Sequence, residues 1–173
     1  FAGDGTTLLR RTVTTESADR LIMTTTQDQD GDSVTDVAVT SVESADGSVL
    51  ATEVRTNADG SMIGSSETAV SANGLVRTTT TDLDGDGAAD IEETSTTVLN
   101  ADGSRTTTTL TRNGDGSLRA SAEVTVSDDA LSTTARRDLN GDGVSEHEET
   151  STTLLGTDGS RTTTTATHSS DGS

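Results

Sequence analysis

A chain of 173 residues is long enough for one ordinary domain, but Leu, Ile, Val and Phe make up under a fifth of it, it has one Phe and no Trp or Tyr, and its net charge is -19. That balance leaves too little apolar surface for an ordinary core. All eleven basic residues are Arg, so the surface is strongly anionic: nucleic acid and anionic membranes are poor partners and cations are good ones. The absence of Cys excludes a disulfide framework, and no apolar run reaches the length of a signal-peptide core or a membrane span.

Order is nevertheless written into the sequence. Thr runs recur at fixed intervals between Asp-Gly or Asn-Gly pairs, with no Pro anywhere. In chain order the pattern predicts two strands, an Asp-rich loop, four strands, a second loop, four strands, a third loop and two more strands. The domain reading follows the loops: a partial repeat over 1–27, a repeat over 28–81, a second over 82–137 and a partial third over 138–173. The segment from Ile91, IEETSTTVLNADGSRTTTTLTRNGDGS, returns from His147 as HEETSTTLLGTDGSRTTTTATHSSDGS at an offset of 56 residues, which sets the expected repeat of about 56 residues and four strands. An earlier, more divergent copy passes through Ser44-Ala45-Asp46-Gly47 and Asn57-Ala58-Asp59-Gly60. The chain starts without Met and stops at Asp171-Gly172-Ser173, in mid-repeat, which suggests a longer natural protein with any export signal outside this segment.

Within a repeat, turn signals at Asp102-Gly103, Asp115-Gly116, Asp128-Asp129 and the stretch from Asp138 lie 13, 13 and 10 residues apart, and strands of nine or ten residues with short turns between them are expected. β-Branched Thr and Val favour the extended chain between them. One segment alternates strictly, with Leu118, Ala120, Ala122, Val124 and Val126 on one face and Arg119, Ser121, Glu123, Thr125 and Ser127 on the other. Asp-Gly and Asn-Gly pairs supply the positive φ of hairpins, so the expected fold is all-β: an elongated antiparallel hairpin repeat, either a meander ribbon or a solenoid-like stack. The Thr runs read first as solvated strand faces. An ordered Thr array for ice or a polysaccharide is the sharper alternative, but successive Thr point to opposite faces, so no single flat Thr face is specified.

The first loop, from Asp28 to Val39, reads DQDGDSVTDVAV. It keeps Asp28, Asp30, Asp32 and Asp36 of the calcium-loop pattern D-x-[DN]-x-[DN]-G-x5-E, but carries Ser33 at the Gly position and Val39 at the twelfth, so weaker binding is expected there. The second, DLDGDGAADIEE over 82–93, matches every defined position through Asp82, Asp84, Asp86, Gly87 and Glu93, with the Ala88 carbonyl and Asp90 at the seventh and ninth places. The third, DLNGDGVSEHEE over 138–149, matches through Asp138, Asn140, Asp142, Gly143 and Glu149, with the Val144 carbonyl and Glu146 at the seventh and ninth. Calcium takes six to eight hard oxygen ligands, and carboxylates two residues apart on a sharply turning chain converge on one ion. Acidic turns without metal are the competing reading, since Asp-Gly is also a common turn pair. Thr78 to Thr81 and Thr94 to Thr97 flank the second loop without helical periodicity, so the loops sit between strands and not between helices.

Other sites are weak. His147 and His168 lack a second ligand at metal spacing and read as surface residues; Arg105 and Arg161, after equivalent DGS turns, are expected to pair across strands with Glu or Asp. No phosphate loop, nucleophile elbow or zinc signature appears, and a non-enzymatic role is expected.

The repeats DLDGDGAAD and DLNGDGVSE, joined by NADGSRTTTT and TDGSRTTTT, resemble those of giant secreted repeat proteins of Gram-negative bacteria, the calcium-dependent exoproteins and adhesins grouped with the RTX proteins, although the nonapeptide GGxGxDxxx is missing. A weaker likeness is to the β-ribbon of YD-repeat proteins, whose Tyr is absent here. The first resemblance implies an extracellular or cell-surface location in bacteria, export in an unfolded state and folding on meeting calcium. A calcium-rigidified stalk or filament module is then expected, with self-association into fibres through open strand edges. The alternatives are an adhesin region contacting glycan or ice, and a non-catalytic calcium-binding appendage of an exported enzyme or toxin.

Overall fold

A computed structural model describes residues 8–170. Among them there is no helix, and hence none long and apolar enough to cross a membrane. Twelve strands follow one another: β1 (Arg11–Glu16), β2 (Ile22–Asp28), β3 (Val37–Glu43), β4 (Val49–Thr56), β5 (Met62–Val70), β6 (Val76–Asp82), β7 (Ile91–Leu99), β8 (Arg105–Asn113), β9 (Leu118–Val126), β10 (Ser132–Asp138), β11 (His147–Leu155) and β12 (Arg161–Ser169). They form one open sheet in chain order, an antiparallel meander. The Asp-rich loops fall after β2, β6 and β10, so the expected strand count between loops holds, and of the two arrangements expected from sequence the meander is the one formed. Strands run from six to nine residues, slightly shorter than expected; β2, β6 and β10, each between a longer Ser-led turn and an Asp-rich loop, have seven.

Two kinds of hairpin turn close the strands. In the first, Ser44 N–H donates to the Ser48 carbonyl at 2.8 Å and Gly47 N–H to the Ser44 carbonyl at 2.9 Å, with Gly47 at φ +85°. This is a three-residue loop ending in the left-handed region, where Gly carries no steric cost. The same bonds close Asn57–Ser61, Asn100–Ser104, Asn113–Ser117 and Gly156–Ser160. In the second kind, Ser17–Ile22, Ser71–Val76 and Ser127–Ser132, the loop is one residue longer and Arg20, Gly74 or Ala130 takes the positive φ. Asp supplies a side-chain acceptor in both: Asp102 Oδ1 accepts from Ser104 N–H at 3.0 Å and from Ser104 Oγ at 2.7 Å.

The chain divides into two compact units, Phe1–Glu92 and Glu93–Ser173. In the first, Thr15, Thr24, Thr40 and Thr52 lie opposite one another across β1 to β4, and the row then meets Glu67 on β5 before Thr80 on β6. Thr hydroxyls bond to each other across strands, as Thr14 with Thr25 and Thr68 with Thr79, both at 3.0 Å. Such cross-strand pairs contribute roughly 0.2–1 kcal/mol each. The Thr row is thus interrupted at Glu67.

In the second unit Glu123, Arg136, Glu148 and His168 form one row across β9 to β12, and Arg136 Nε donates to Glu148 Oε2 at 3.0 Å. The hydrogen bond and charge of Glu148, with Glu123 on the other side, push the Arg136 guanidinium pKa up. Arg105 faces Val126 and Arg161 faces Leu155. The expected pairing of these two arginines with acidic neighbours is therefore not what forms. The ion pairs among the described residues are Arg20 with Glu16, Arg55 with Glu53 and Arg136 with Glu148.

An apolar interior is almost missing. Ala135 is the buried hydrophobic residue among those described, and no side chain is fully enclosed. Leu50, Ile63, Leu99 and Leu154 all stand in solvent. Order rests instead on the backbone ladder, β-branched side chains, turns that satisfy their own polar groups, and the three loops.

Candidate metal centres

Each loop begins where a strand ends in Asp, and that Asp turns under the chain that follows. Asp82 is 6% exposed: its Oδ1 accepts from Asp84 N–H at 3.2 Å and Gly85 N–H at 2.7 Å, and its Oδ2 from Gly87 N–H at 2.9 Å. Asp138, 3% exposed, repeats this with Asn140 (3.2 Å), Gly141 (2.6 Å) and Gly143 (2.9 Å). Asp28 takes Gly31 N–H at 2.6 Å and Ser33 N–H at 3.0 Å. Burial pushes the Asp82 carboxyl up, but the Gly85, Gly87 and Asp84 amides outweigh it and hold the pKa below 3.8. For Asp138 burial is likewise outweighed, there by Gly143, Gly141 and Asn140. Both are carboxylates at neutral pH.

A ladder of short turns then winds the loop. Asp84 Oδ1 accepts from Asp86 N–H at 3.1 Å and Asp86 Oδ1 from Ala88 N–H at 2.7 Å. Asp30 with Asp32 (3.1 Å) and Asp32 with Val34 (2.7 Å) do the same in the first loop, and Asn140 with Asp142 and Asp142 with Val144, both at 2.8 Å, in the third. The ninth residue closes each loop by accepting from the second residue's amide: Asp36 from Gln29 at 2.5 Å, Asp90 from Leu83 at 2.8 Å, Glu146 from Leu139 at 2.6 Å.

This winding gathers three acidic groups per loop. Asp28, Asp30 and Asp32 form one, Asp82, Asp84 and Asp86 the next, and Asp138, Asp142 and Glu146 the third, each with one carboxylate oxygen per residue within 4.8 Å of the others. Two oxygens on opposite sides of a calcium ion stand about 4.6–5.2 Å apart, twice the bond length, so the spacing fits an ion between them. All donors are hard oxygens and neither His belongs to a group, which suits an alkaline-earth ion better than zinc. The residues therefore can hold a metal ion.

The remaining predicted ligands are placed as follows. Asp36 and Asp90 hold second-position amides and lie outside the gathered triads, whereas Glu146 holds the Leu139 amide and belongs to the third triad. Glu93 is an exposed residue of β7, and Glu149 sits on β11 opposite Ala135 and Thr167. Val39, at the twelfth place of the first loop, is a strand residue opposite Thr25 and Glu53. Ala88 and Val144 donate their amides to the fifth residue. Ser33 adopts φ +76° in place of Gly, so the first loop keeps the sixth-position bond despite the substitution.

Sequence reading missed the seat under each loop. β5 carries a bulge: Arg55 faces Gly64 and Thr56 faces Met62, so Ile63 is the extra residue. β9 has the same irregularity, with Arg119 extra between Ala120 and Leu118. A Cβ on Gly85 would lie 2.3 Å from the Met62 carbonyl oxygen, on Gly141 2.2 Å from that of Leu118, and on Gly31 2.0 Å from that of Leu8. The fourth-position Gly thus lets the second and third loops settle on the first residues of β5 and β9, and the first loop on Leu8, just before β1. Its recurrence in DQDGD, DLDGD and DLNGD was the available signal.

No protein-family model matches the chain, and no curated protein or solved structure matches it.

Proposed function

We propose that this chain is a calcium-stabilised structural segment, a stalk or filament module of a large secreted or cell-surface bacterial protein of the RTX-like kind. The observation that carries the reading is a combination: three loops with the same bonding ladder, each gathering three acidic groups, join strands of a sheet that has almost no apolar interior. A chain of net charge -19 gains from any cation that binds only its folded form. Calcium is the ion that all-oxygen loops of this spacing suit, with carboxylates at the first and fifth places, a carboxylate or the Asn140 amide oxygen at the third, and the seventh-position carbonyl completing the shell. Magnesium, which demands tighter octahedral geometry and keeps its waters, suits them less. The domain reading, with one loop opening each repeat, makes the ion a pin between successive groups of four strands. No catalytic constellation enters this account.

The test is ion binding together with mechanics. Equilibrium dialysis with calcium is expected to give two to three ions per chain, undisplaced by equal magnesium, and single-molecule pulling is expected to show higher unfolding forces with calcium than with chelator. A chain that binds less than one ion, or extends at the same force in both conditions, contradicts the reading.

A further inference from the structure

The Asn residues of the chain are Asn57, Asn73, Asn100, Asn113 and Asn140, and Asn73, Asn113 and Asn140 are each followed by Gly. An Asn-Gly pair can react with itself. The Gly amide nitrogen attacks the carbonyl carbon of the Asn side chain, a cyclic imide closes as ammonia leaves, and water then opens the ring to Asp or to isoAsp. Nothing is oxidised or reduced. Gly favours ring closure because no Cβ crowds the attacking nitrogen. The step needs a Gly N–H free of an acceptor, an Asn carboxamide free to turn, and room for the peptide between them to swing.

Two of the pairs are denied these conditions. Gly141 N–H donates to the Asp138 carboxylate at 2.6 Å, a charge-assisted bond, and Gly141 is pressed on the Leu118 carbonyl. The Asn140 carboxamide is held at both ends: Oδ1 accepts from Asp142 N–H at 2.8 Å and Nδ2 donates to Asp142 Oδ2 at 3.2 Å. Gly74 N–H donates to the Ser71 carbonyl at 2.8 Å, and Asn73 Oδ1 accepts from Ser71 Oγ at 2.8 Å and from Leu75 N–H at 3.0 Å.

Asn113 and Gly114 stand differently. Both are exposed, at the head of the turn Asn113–Ser117. That turn spends the amides of Asn113 and Gly116 on its own closure and leaves out the amide of Gly114. Among the described residues no acceptor takes the Gly114 N–H and no donor reaches Asn113 Oδ1; the carboxamide is held by one bond, from Nδ2 to Ser117 Oγ at 2.9 Å. Asn57 and Asn100 head turns of the same kind, but Ala58 and Ala101 follow them, and Asn100 gives Nδ2 to Thr106 Oγ as well as to Ser104 Oγ.

We infer that Asn113 is a self-modification site: in the folded chain it converts to Asp and isoAsp while Asn73 and Asn140 persist. Either product adds one negative charge, and isoAsp also lengthens the main chain by one carbon between β8 and β9. The turn leads straight into Leu118, whose carbonyl seats Gly141, so the altered chain lies beside the support of the third loop. The inference rests on hydrogen bonding and exposure and not on a bound metal.

Its test is peptide mapping of the aged chain. Folded protein, its β spectrum confirmed by circular dichroism, is held at mildly alkaline pH and digested with trypsin at intervals, and mass spectrometry follows the amide-to-acid change at each Asn. Asn113 is expected to convert at least several-fold faster than Asn73 and Asn140, with isoAsp exceeding Asp in its peptide. The same incubation in denaturant should bring the Asn-Gly pairs to similar rates, because the protection of Asn73 and Asn140 is structural. Gly114→Ala copies a residue that the Asn57 and Asn100 turns already accommodate, and should slow conversion at Asn113 at least several-fold with the β spectrum kept. Asn73 lies outside every Asp-rich loop, so its comparison with Asn113 stands whatever ion is bound. Asn73 or Asn140 keeping pace with Asn113 in the folded chain, an Asn113 that persists there while the denatured chain reacts, or indifference to Gly114→Ala would overturn the inference.

Discussion

Gly85 and Gly87 sit two residues apart at nearly the same φ, +79° and +88°, yet they answer to different constraints. Gly87 has open space where a Cβ would go, whereas Gly85 is pressed on the Met62 carbonyl. Gly87→Ala should therefore cost only the left-handed strain of about 1–2 kcal/mol, and Gly85→Ala distinctly more, because backbone must also move. Urea unfolding of the two variants in calcium checks the order. Ser33 already bears that strain at φ +76°, so Ser33→Gly should stabilise the first loop by roughly 1 kcal/mol, visible as a higher urea midpoint. Asp82 and Asp84 separate the turn from the ion. Asp82 anchors three amides, so Asp82→Ala should lower the urea midpoint even in saturating calcium; Asp84, exposed at the rim and holding one amide, should chiefly lower calcium affinity when changed to Ala.

At the scale of the element, the turns carry a pH signature. The Asp46, Asp59, Asp102, Asp115 and Asp158 carboxyls are held below 3.8 by bonds from the Ser two residues on, side chain and backbone together. A depressed folded-state pKa stabilises fully above the unfolded value and is lost as pH falls through the folded one. Stability should thus be level down to about pH 4 and decline below it, and replacing these five Asp by Asn should flatten that acid limb in urea titrations followed against pH. The strands and hairpins were readable in the sequence because Thr and Val runs alternate with Asp-Gly-Ser, where propensity and turn chemistry agree. The bulges at Ile63 and Arg119 were not, since they arise from pairing with a strand whose register no local pattern states. Likewise DLDGD announced carboxylates at the first, third and fifth places, but not that the ninth residue would spend its carboxylate on the amide of the second.

For the whole molecule, a sheet with solvent against most of its side chains has little hydrophobic free energy to set against chain entropy. Composition announced that shortage and the loops announced a remedy; the order of strands in a single sheet followed from short turns that leave each strand only its neighbour to pair with. The account's central claim is that cation binding at the three loops supplies the missing stability. A calcium titration of the chain followed by far-ultraviolet circular dichroism, with magnesium as control and chelator to reverse it, tests this most directly. The account predicts a weak β signal in chelator and a cooperative gain as calcium fills the loops, reversed when it is withdrawn. A full β spectrum that chelator leaves unchanged would contradict it and make the loops plain acidic turns.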